Sequence, residues 1–429
     1  MPVKNILMIS QVFPPAGGGG VQRTLKFVKY LPQSGWHPTV LTLKPDSRYP
    51  KDHSMLAEIP HGVHTVRTGQ CNYHLALALL KKIGLNGLHS YFTRFLAMPD
   101  SMNGWISPAF FRALQLCRER KFDAIYTTAP AYSTHIIGLL LSKRTHIPWA
   151  ADFRDEWTSH SEFKHLTAFH YKLHKQLEAS VIANASAVIS ASPNVTDYFQ
   201  NQYTGSEDKY HTITNGFDPE DFKTISAPAC GDDGKMKITF IGSVYGYVDP
   251  VPFLNAVKEL IDAKKIQRDK LVIKFVGNFW IPDNAVKQYS SLYEILPYTD
   301  HLNAVARMAE SDLLLVLLRR SLRTIPAKIF EYFAVNKPVL AIVPQGGIAA
   351  ELVTAYKAGF TADPENPADI KESVLKAYNL WSDKKLCLQP NEDFVKTFDR
   401  RLLTQKLAKI LDGIEKGTKK PESPNPVTP

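Results

Sequence analysis

The sequence predicts two α/β domains, each a parallel sheet with helices on both faces, set opposite one another across a cleft. Three observations carry this. The chain has 429 residues, more than one core usually supports, so two domains of roughly 200 residues are the default. Apolar runs of strand length alternate with helical patterns throughout, the signature of doubly wound sheets. The alternation is broken once, between Ile225 and Lys237, by Ser-Ala-Pro-Ala-Cys-Gly-Asp-Asp-Gly-Lys, a run of turn formers that reads as a linker.

Taken in order, the first series of strands is expected at Ile6 to Ser10, Thr39 to Leu43, Val63 to Val66, Ala124 to Thr127, Trp149 to Asp152, Ala187 to Ser190 and Thr212 to Thr214. The second is expected at Lys237 to Ile241, Leu271 to Val276, Leu313 to Leu317, Pro338 to Ile342 and the short Gly359 to Ala362. From Phe394 to Ile414, Leu402, Leu403, Leu407, Ile410 and Leu411 recur at helical spacing. They predict one long amphipathic helix that could pack back on the first domain. The end, Lys419 to Pro429, is Pro-rich without an apolar stripe and is expected to be disordered. The expected division is 1–225, 237–393, 394–414 and 419–429.

Composition excludes several classes. Hydrophobic residues make up 44% and charged residues 21% of the chain, as in ordinary soluble proteins. Cys71, Cys117, Cys230 and Cys387 are too dispersed for a metal knuckle or a redox pair, which fits a reducing compartment. No metal site or cofactor is suggested. A net charge of +10 implies an anionic partner, and without a recognised nucleic-acid motif that partner is expected not to be nucleic acid. The start runs directly into a strand, and no apolar run is long enough to span a bilayer; a cytoplasmic protein is expected.

Two segments carry chemistry. Gly17 to Gly20 follow the first strand and open a helix, where bare amides and the positive helix end favour a diphosphate. Pro326-Ala-Lys328-Ile-Phe-Glu331-Tyr offers a cation and a carboxylate on one helix face at the end of a second-series strand. A dinucleotide fingerprint needs a further glycine and an acid closing the second strand. Here Gln22 or Arg23 stands at the glycine position, and the strand ends Leu43-Lys44-Pro45, so hydride transfer is disfavoured.

Ser10-Gln-Val-Phe-Pro-Pro-Ala-Gly-Gly-Gly19-Gly20-Val-Gln-Arg23, Ala151-Asp152-Phe-Arg154-Asp155-Glu-Trp157, Thr214-Asn215-Gly216-Phe-Asp218, Phe240-Ile-Gly242-Ser243, Lys328-Ile-Phe-Glu331-Tyr and Gly346-Gly347 stand in the order seen in retaining GT-B glycosyltransferases. The chain resembles family 4 of that class from residue 4 to about 412. The resemblance implies two Rossmann-like domains and a nucleotide-diphosphate sugar as donor, with Gly19 and Gly20 near the diphosphate and Glu331 on the ribose hydroxyls. It extends donor binding to Gly242, Ser243, Gly346 and Gly347. Two departures stand out: the first of the family's paired glutamates falls at Arg323, and Gly242-Ser243-Val-Tyr-Gly246-Tyr supplies neither an Arg nor a Lys for the diphosphate.

Positive charge is therefore expected from Arg319, Arg320, Arg323 and Lys328, around the end of the Leu313 to Leu317 strand. It would stabilise the leaving diphosphate as the anomeric bond breaks, with Lys328 catalytic and no metal required. Asp152, Arg154 and Asp155 stand where relatives have a histidine near sugar and acceptor. Arg154 and Asp155 are candidate catalytic groups and Asp152 an acceptor-side group, one carboxylate accepting the acceptor's proton. A loop-shaping salt bridge of Arg154 with Asp152 or Asp155 is the alternative. Tyr298, in Leu296-Pro-Tyr298-Thr-Asp300, is the candidate base-stacking side chain. Between Tyr73 and Phe111, apolar and aromatic residues beside basic ones suit an anionic membrane surface, the inner face of the plasma membrane; core helices have the same pattern.

The expected activity is transfer of a sugar, with retention, to a glycan or lipid-linked acceptor in bacterial surface polysaccharide biosynthesis. A catalytically silent nucleotide-sugar-binding or scaffold protein of the same fold is the alternative.

Overall fold

The structure is a computed structural model that describes residues 3–45, 49–71, 81–160, 165–203, 207–223, 234–244, 246, 248–279, 286–386 and 389–417. The linker core, the Pro-rich end, residues 73–80, Cys230 and Cys387 lie outside the described residues.

Strands β1 (Lys4–Ser10), β2 (Trp36–Leu43), β3 (His64–Thr68), β4 (Ala124–Thr128), β5 (Trp149–Arg154), β6 (Ala187–Ser190) and β7 (Tyr210–Thr212) form one sheet in the order β3-β2-β1-β4-β5-β6-β7. Strands β8 (Met236–Ile241), β9 (Leu271–Val276), β10 (Tyr293–Leu296), β11 (Leu313–Leu317), β12 (Val339–Ile342) and β13 (Gly359–Ala362) form a second, in the order β10-β9-β8-β11-β12-β13. Every pairing in both is parallel. In each, the order reverses beside the first strand, β1 and β8, which opens a crevice at the carboxyl ends where ligands bind in this class of sheet. Both central strands are near-continuous apolar runs because helices cover both faces: Ile6 to Ile9 and Leu313 to Leu315 are fully or almost fully buried.

Three expectations need correction. The last strand of the first sheet is Tyr210–Thr212, not Thr212 to Thr214, because Thr214 and Asn215 leave the sheet towards the crevice. Strand β10 was not expected: its Tyr-Glu-Ile-Leu is a half-exposed edge with no clean alternation. The carboxy-terminal helix is two, Glu392–Lys396 and Arg400–Gly417.

That break is a crossing point. Val395 and Phe398 pack in the second sheet's core with Ile329, Phe330 and Phe333, whereas Leu403, Leu407, Ala408 and Leu411 pack in the first sheet's core with Ile6, Val28 and Trp36. Between them the chain lies alongside the earlier crossing: Phe217 N donates to Phe398 O at 3.1 Å and Arg400 N donates to Phe217 O at 2.9 Å. A side chain at Gly216 would collide with the Phe398 carbonyl, so glycine there permits this approach.

Candidate active site

The carboxyl edges of the two sheets enclose a cleft of about 460 Å³. From the first sheet it is lined by Gly18, Gly19, Gly20, Arg154, Asp155, Ser192 and Asn215. From the second it is lined by Gly242, Ser243, Gly277, Tyr298, Thr324 and Lys328.

The glycine loop enters the helix Gly19–Tyr30 through Gly18 at φ 98°, a left-handed backbone that suits glycine. No Cβ would clash at Gly19, and at Gly20 it would approach only Arg154 Nη1, at 3.8 Å; both face the cleft. The most crowded glycine of the loop is Gly17, where a Cβ would run into the Tyr298 hydroxyl. Tyr298 thus lies against the glycine loop from across the cleft, its hydroxyl on the Gly18 backbone. On the opposite wall Gly277, at φ 132°, lets its strand end approach the Gly242 carbonyl. The Tyr332 hydroxyl accepts from Ile241 N at 2.9 Å, fixing the end of β8 against the helix Ile329–Ala334.

Asp152 and Asp155 are placed very differently. Asp152 is fully buried, accepts from Arg23 Nε at 2.7 Å and Nη2 at 2.9 Å, and accepts from the Tyr126 hydroxyl at 2.5 Å and the Thr128 hydroxyl at 2.9 Å. Burial opposes its ionisation, yet Arg23, Arg154 and the Tyr126 hydroxyl hold its carboxyl below the usual carboxylate range. With its oxygens engaged and no place in the lining, Asp152 shapes the loop instead of meeting an acceptor. Its partner is Arg23, at the start of the first helix, not Arg154.

Arg154 makes no ion pair among the described residues. It sits at φ 61°, uncommon for a non-glycine residue, where the β5–β6 register shifts. Its Nε donates to Thr128 Oγ1 at 3.2 Å and its Nη2 to Gly20 O at 2.9 Å. It ties the end of β5 to the glycine loop. Asp155 is half-buried and lines the cleft, and no hydrogen bond to its carboxylate is formed by the described residues. Desolvation first, and Glu156 beside it, push its carboxyl up, against the opposing pull of His160 and Arg154.

Lys328 lines the cleft, and its Nζ donates to Glu331 Oε2 at 2.6 Å. Glu331 itself is buried behind it. The expected arginines stand away from the lining. Arg319 pairs with Asp249 at 2.9 Å and Glu365 at 2.9 Å. Arg323 reaches across to the first sheet, pairing with Glu156 at 2.9 Å and lying 4.7 Å over the Tyr198 ring. Both are engaged by carboxylates outside the lining. Gly346 and Gly347 cap the helix Ile348–Tyr356 outside the cleft lining, Gly347 packed on Leu322.

The sequence reading passed over three residues. Ser192 is buried and lines the cleft with no hydrogen-bond partner for its hydroxyl among the described residues. Asn215, within the Thr214-Asn-Gly216 motif, lines the cleft. Arg400 lies in the electrostatic field of Arg23, Arg154 and Glu331, which only the returning helix could reveal. Among the described residues one carboxylate group is tight enough to hold a cation, Glu58, Asp218 and Asp221. The Lys26 ammonium fills it, bonding Glu58, Asp218 at 2.8 Å and Asp221 at 2.9 Å. Asp221 also meets His301 Nε2 at 2.9 Å, and Asp52 accepts from His301 N at 3.1 Å, joining the two halves.

Residues 18–216 match the glycosyl transferase 4-like domain, and residues 235–379 match glycosyl transferases group 1. No curated protein matches the sequence. The fold is similar to HepE of Anabaena, solved in complex with UDP (TM-score 0.65, 16% identity, 95% of this chain and 100% of that one). It is also similar to WaaG, a glycosyltransferase involved in lipopolysaccharide biosynthesis (TM-score 0.64, 13% identity, 95% and 100%). A third similar structure is sucrose-phosphate synthase of Thermosynechococcus elongatus (TM-score 0.68, 13% identity, 97% and 100%). With a glycosyl transferase 4-like first half, a group 1 second half and the two-sheet GT-B frame, the chain is a member of the glycosyltransferases.

Proposed function

We propose that the protein transfers a sugar, with retention and without a metal, from a nucleoside diphosphate sugar to a glycan or lipid-linked acceptor of bacterial surface polysaccharide biosynthesis. The observation that carries this reading is the cleft itself, in which one wall offers the glycine loop, Arg154 and Asp155 and the other Gly242, Ser243 and Lys328. Residues 1–225 would form the acceptor-side unit and 237–393 the donor-side unit. UDP in the similarly folded HepE structure makes UDP the first nucleotide to try.

In this reading the loop amides and Lys328 receive the diphosphate, and Glu331, once relieved of Lys328, accepts from the ribose hydroxyls. As the anomeric bond breaks ahead of the new bond, charge grows on the leaving phosphate and Lys328 offsets it. Asp155 is the free carboxylate within the cleft, and a raised proton affinity suits it to accept the acceptor hydroxyl's proton. Arg154, committed to Gly20 O, holds the loop in register with that carboxylate.

The acceptor's lipid is supported by one surface. The helix Asn86–Leu96 has no buried residue, and Ile83, Leu88, Tyr91, Phe92 and Leu96 are exposed, as is Phe169 of the helix whose His170 packs on Phe95 at 4.8 Å. No Asp or Glu occurs from residue 59 to 99. Exposed aromatics with basic neighbours suit the headgroup region of an anionic bilayer. No described helix is long and apolar enough to cross one.

A silent nucleotide-sugar-binding protein is the second reading, favoured by Arg323 at the place of a family glutamate and by its engagement with Glu156. Donor hydrolysis separates the two: slow release of free nucleoside diphosphate supports transfer, and binding without release over long incubation supports the silent protein.

A further inference from the structure

Arg400 is a buried charge to which no described residue supplies a hydrogen-bonding or ion-pair partner. It opens the returning helix and is 4% exposed, and its Nη1 meets no hydrogen-bond acceptor. The charges around it are Arg23 and Arg154, which repel it, and Glu331, which attracts it. Arg23 is spent on Asp152 and Thr214 O. Burial first, then the two arginines, pull Arg400 down to about 9. A buried guanidinium lacking an acceptor is costly, and such a cost is tolerated where another state of the molecule relieves it.

The helix that carries Glu331 packs on the same crossing, the Phe330 ring lying 4.7 Å from that of Phe398, two residues before Arg400. Glu331 is buried, and Lys328 is the cation that bonds it. Lys328 is the more exposed of the two, with its side chain at 25% against 10% for Glu331, and it lines the cleft. In the glycosyl-transfer reading a diphosphate entering the cleft would draw Lys328 towards it, leaving Glu331 buried without that cation and within the field of Arg400.

We propose that Arg400 is a positioning residue for the donor, taking over Glu331 when Lys328 turns to the diphosphate and holding the carboxylate aimed at the ribose. This rests on the glycosyl-transfer reading, but it adds a residue from the helix that belongs by packing to the other half of the molecule. Arg400 touches no substrate; it acts through Glu331.

The test uses the full-length protein, titrated with UDP and with uridine, beside thermal melts of the empty protein. Arg400→Met should weaken UDP binding about tenfold or more while changing uridine binding little, since the nucleoside does not withdraw Lys328. Its melting temperature should be equal to or above wild type, because an unpaired buried charge has been removed. Arg400→Lys should recover much of the UDP affinity. In the Glu331→Gln background Arg400→Met should cost nothing further, the signature of two groups acting as one. Equal losses for UDP and uridine, additive losses in the double variant, or a melting temperature that falls with affinity unchanged would each overturn the proposal. If UDP does not bind the wild type, GDP, dTDP and ADP with their nucleosides take its place. Failure of all four overturns the glycosyl-transfer reading and this proposal together, whereas wild-type binding with indifferent Arg400 variants overturns this proposal alone.

Discussion

At the residue scale, the pair Asp152 and Asp155 shows how neighbouring carboxylates on one strand end come to different uses. Asp152→Asn leaves Arg23 buried against a neutral partner, a change that costs about 3–5 kcal/mol when a buried ion pair is broken. A large fall in melting temperature is expected, with turnover per folded molecule retained. Asp155→Asn should do the opposite, cutting transfer by roughly a hundredfold with the melt unmoved. A melt for Asp155→Asn that drops as far as that of Asp152→Asn would remove it from the chemistry. Because the working form of Asp155 is the carboxylate and its pKa is raised, wild-type kcat/KM should fall as pH drops through a value above the ordinary aspartate range near about 4. The sequence made these residues visible as a group, since charge at the end of a parallel strand marks a ligand edge. It could not divide them, because the division depends on Arg23, far away in sequence but 2.7 Å away in space.

At the element scale, the central apolar strands and the short edge β13 were legible, whereas the half-exposed edge β10, with no clean alternation, was not. The glycine loop was legible as a loop, but not which of its glycines is crowded, because Tyr298 arrives from the other half. Gly17→Ala is therefore expected to push Tyr298 away, open the cleft wall and weaken nucleotide binding. Gly19→Ala, with open space around it, should leave the empty fold intact and lose affinity only if a diphosphate lies against it. Nucleotide titration of both variants distinguishes these effects. The exposed helix Asn86–Leu96 makes its own prediction: Phe92→Asp should reduce sedimentation with vesicles containing anionic phospholipid and leave turnover on a soluble acceptor unchanged. Equal recovery of both proteins with such vesicles would reassign the helix.

At the scale of the whole molecule, the positive charge expected from a cluster of arginines is used mainly in structure. Arg319 closes a surface triad, and Arg323 bridges the halves. That use follows from partners supplied by distant segments, which composition cannot show. Lys328 remains in the cleft, while the carboxylate cluster nearest to metal geometry is filled by Lys26. Activity is accordingly expected to survive excess EDTA; full loss on chelation, restored by magnesium or manganese, would rule out a cation clamp made of side chains alone.

Among the described residues, two passages between the halves are hydrogen-bonded to each other at Phe217, Phe398 and Arg400. Two stitched passages act as a hinge with two pins: twist about the connection is resisted, and the remaining soft motion is a swing about the line joining them. Such a hinge makes opening a single coordinate. The glycine loop and Tyr298, Glu156 and Arg323, and Asp52 and His301 must then part together, not one after another.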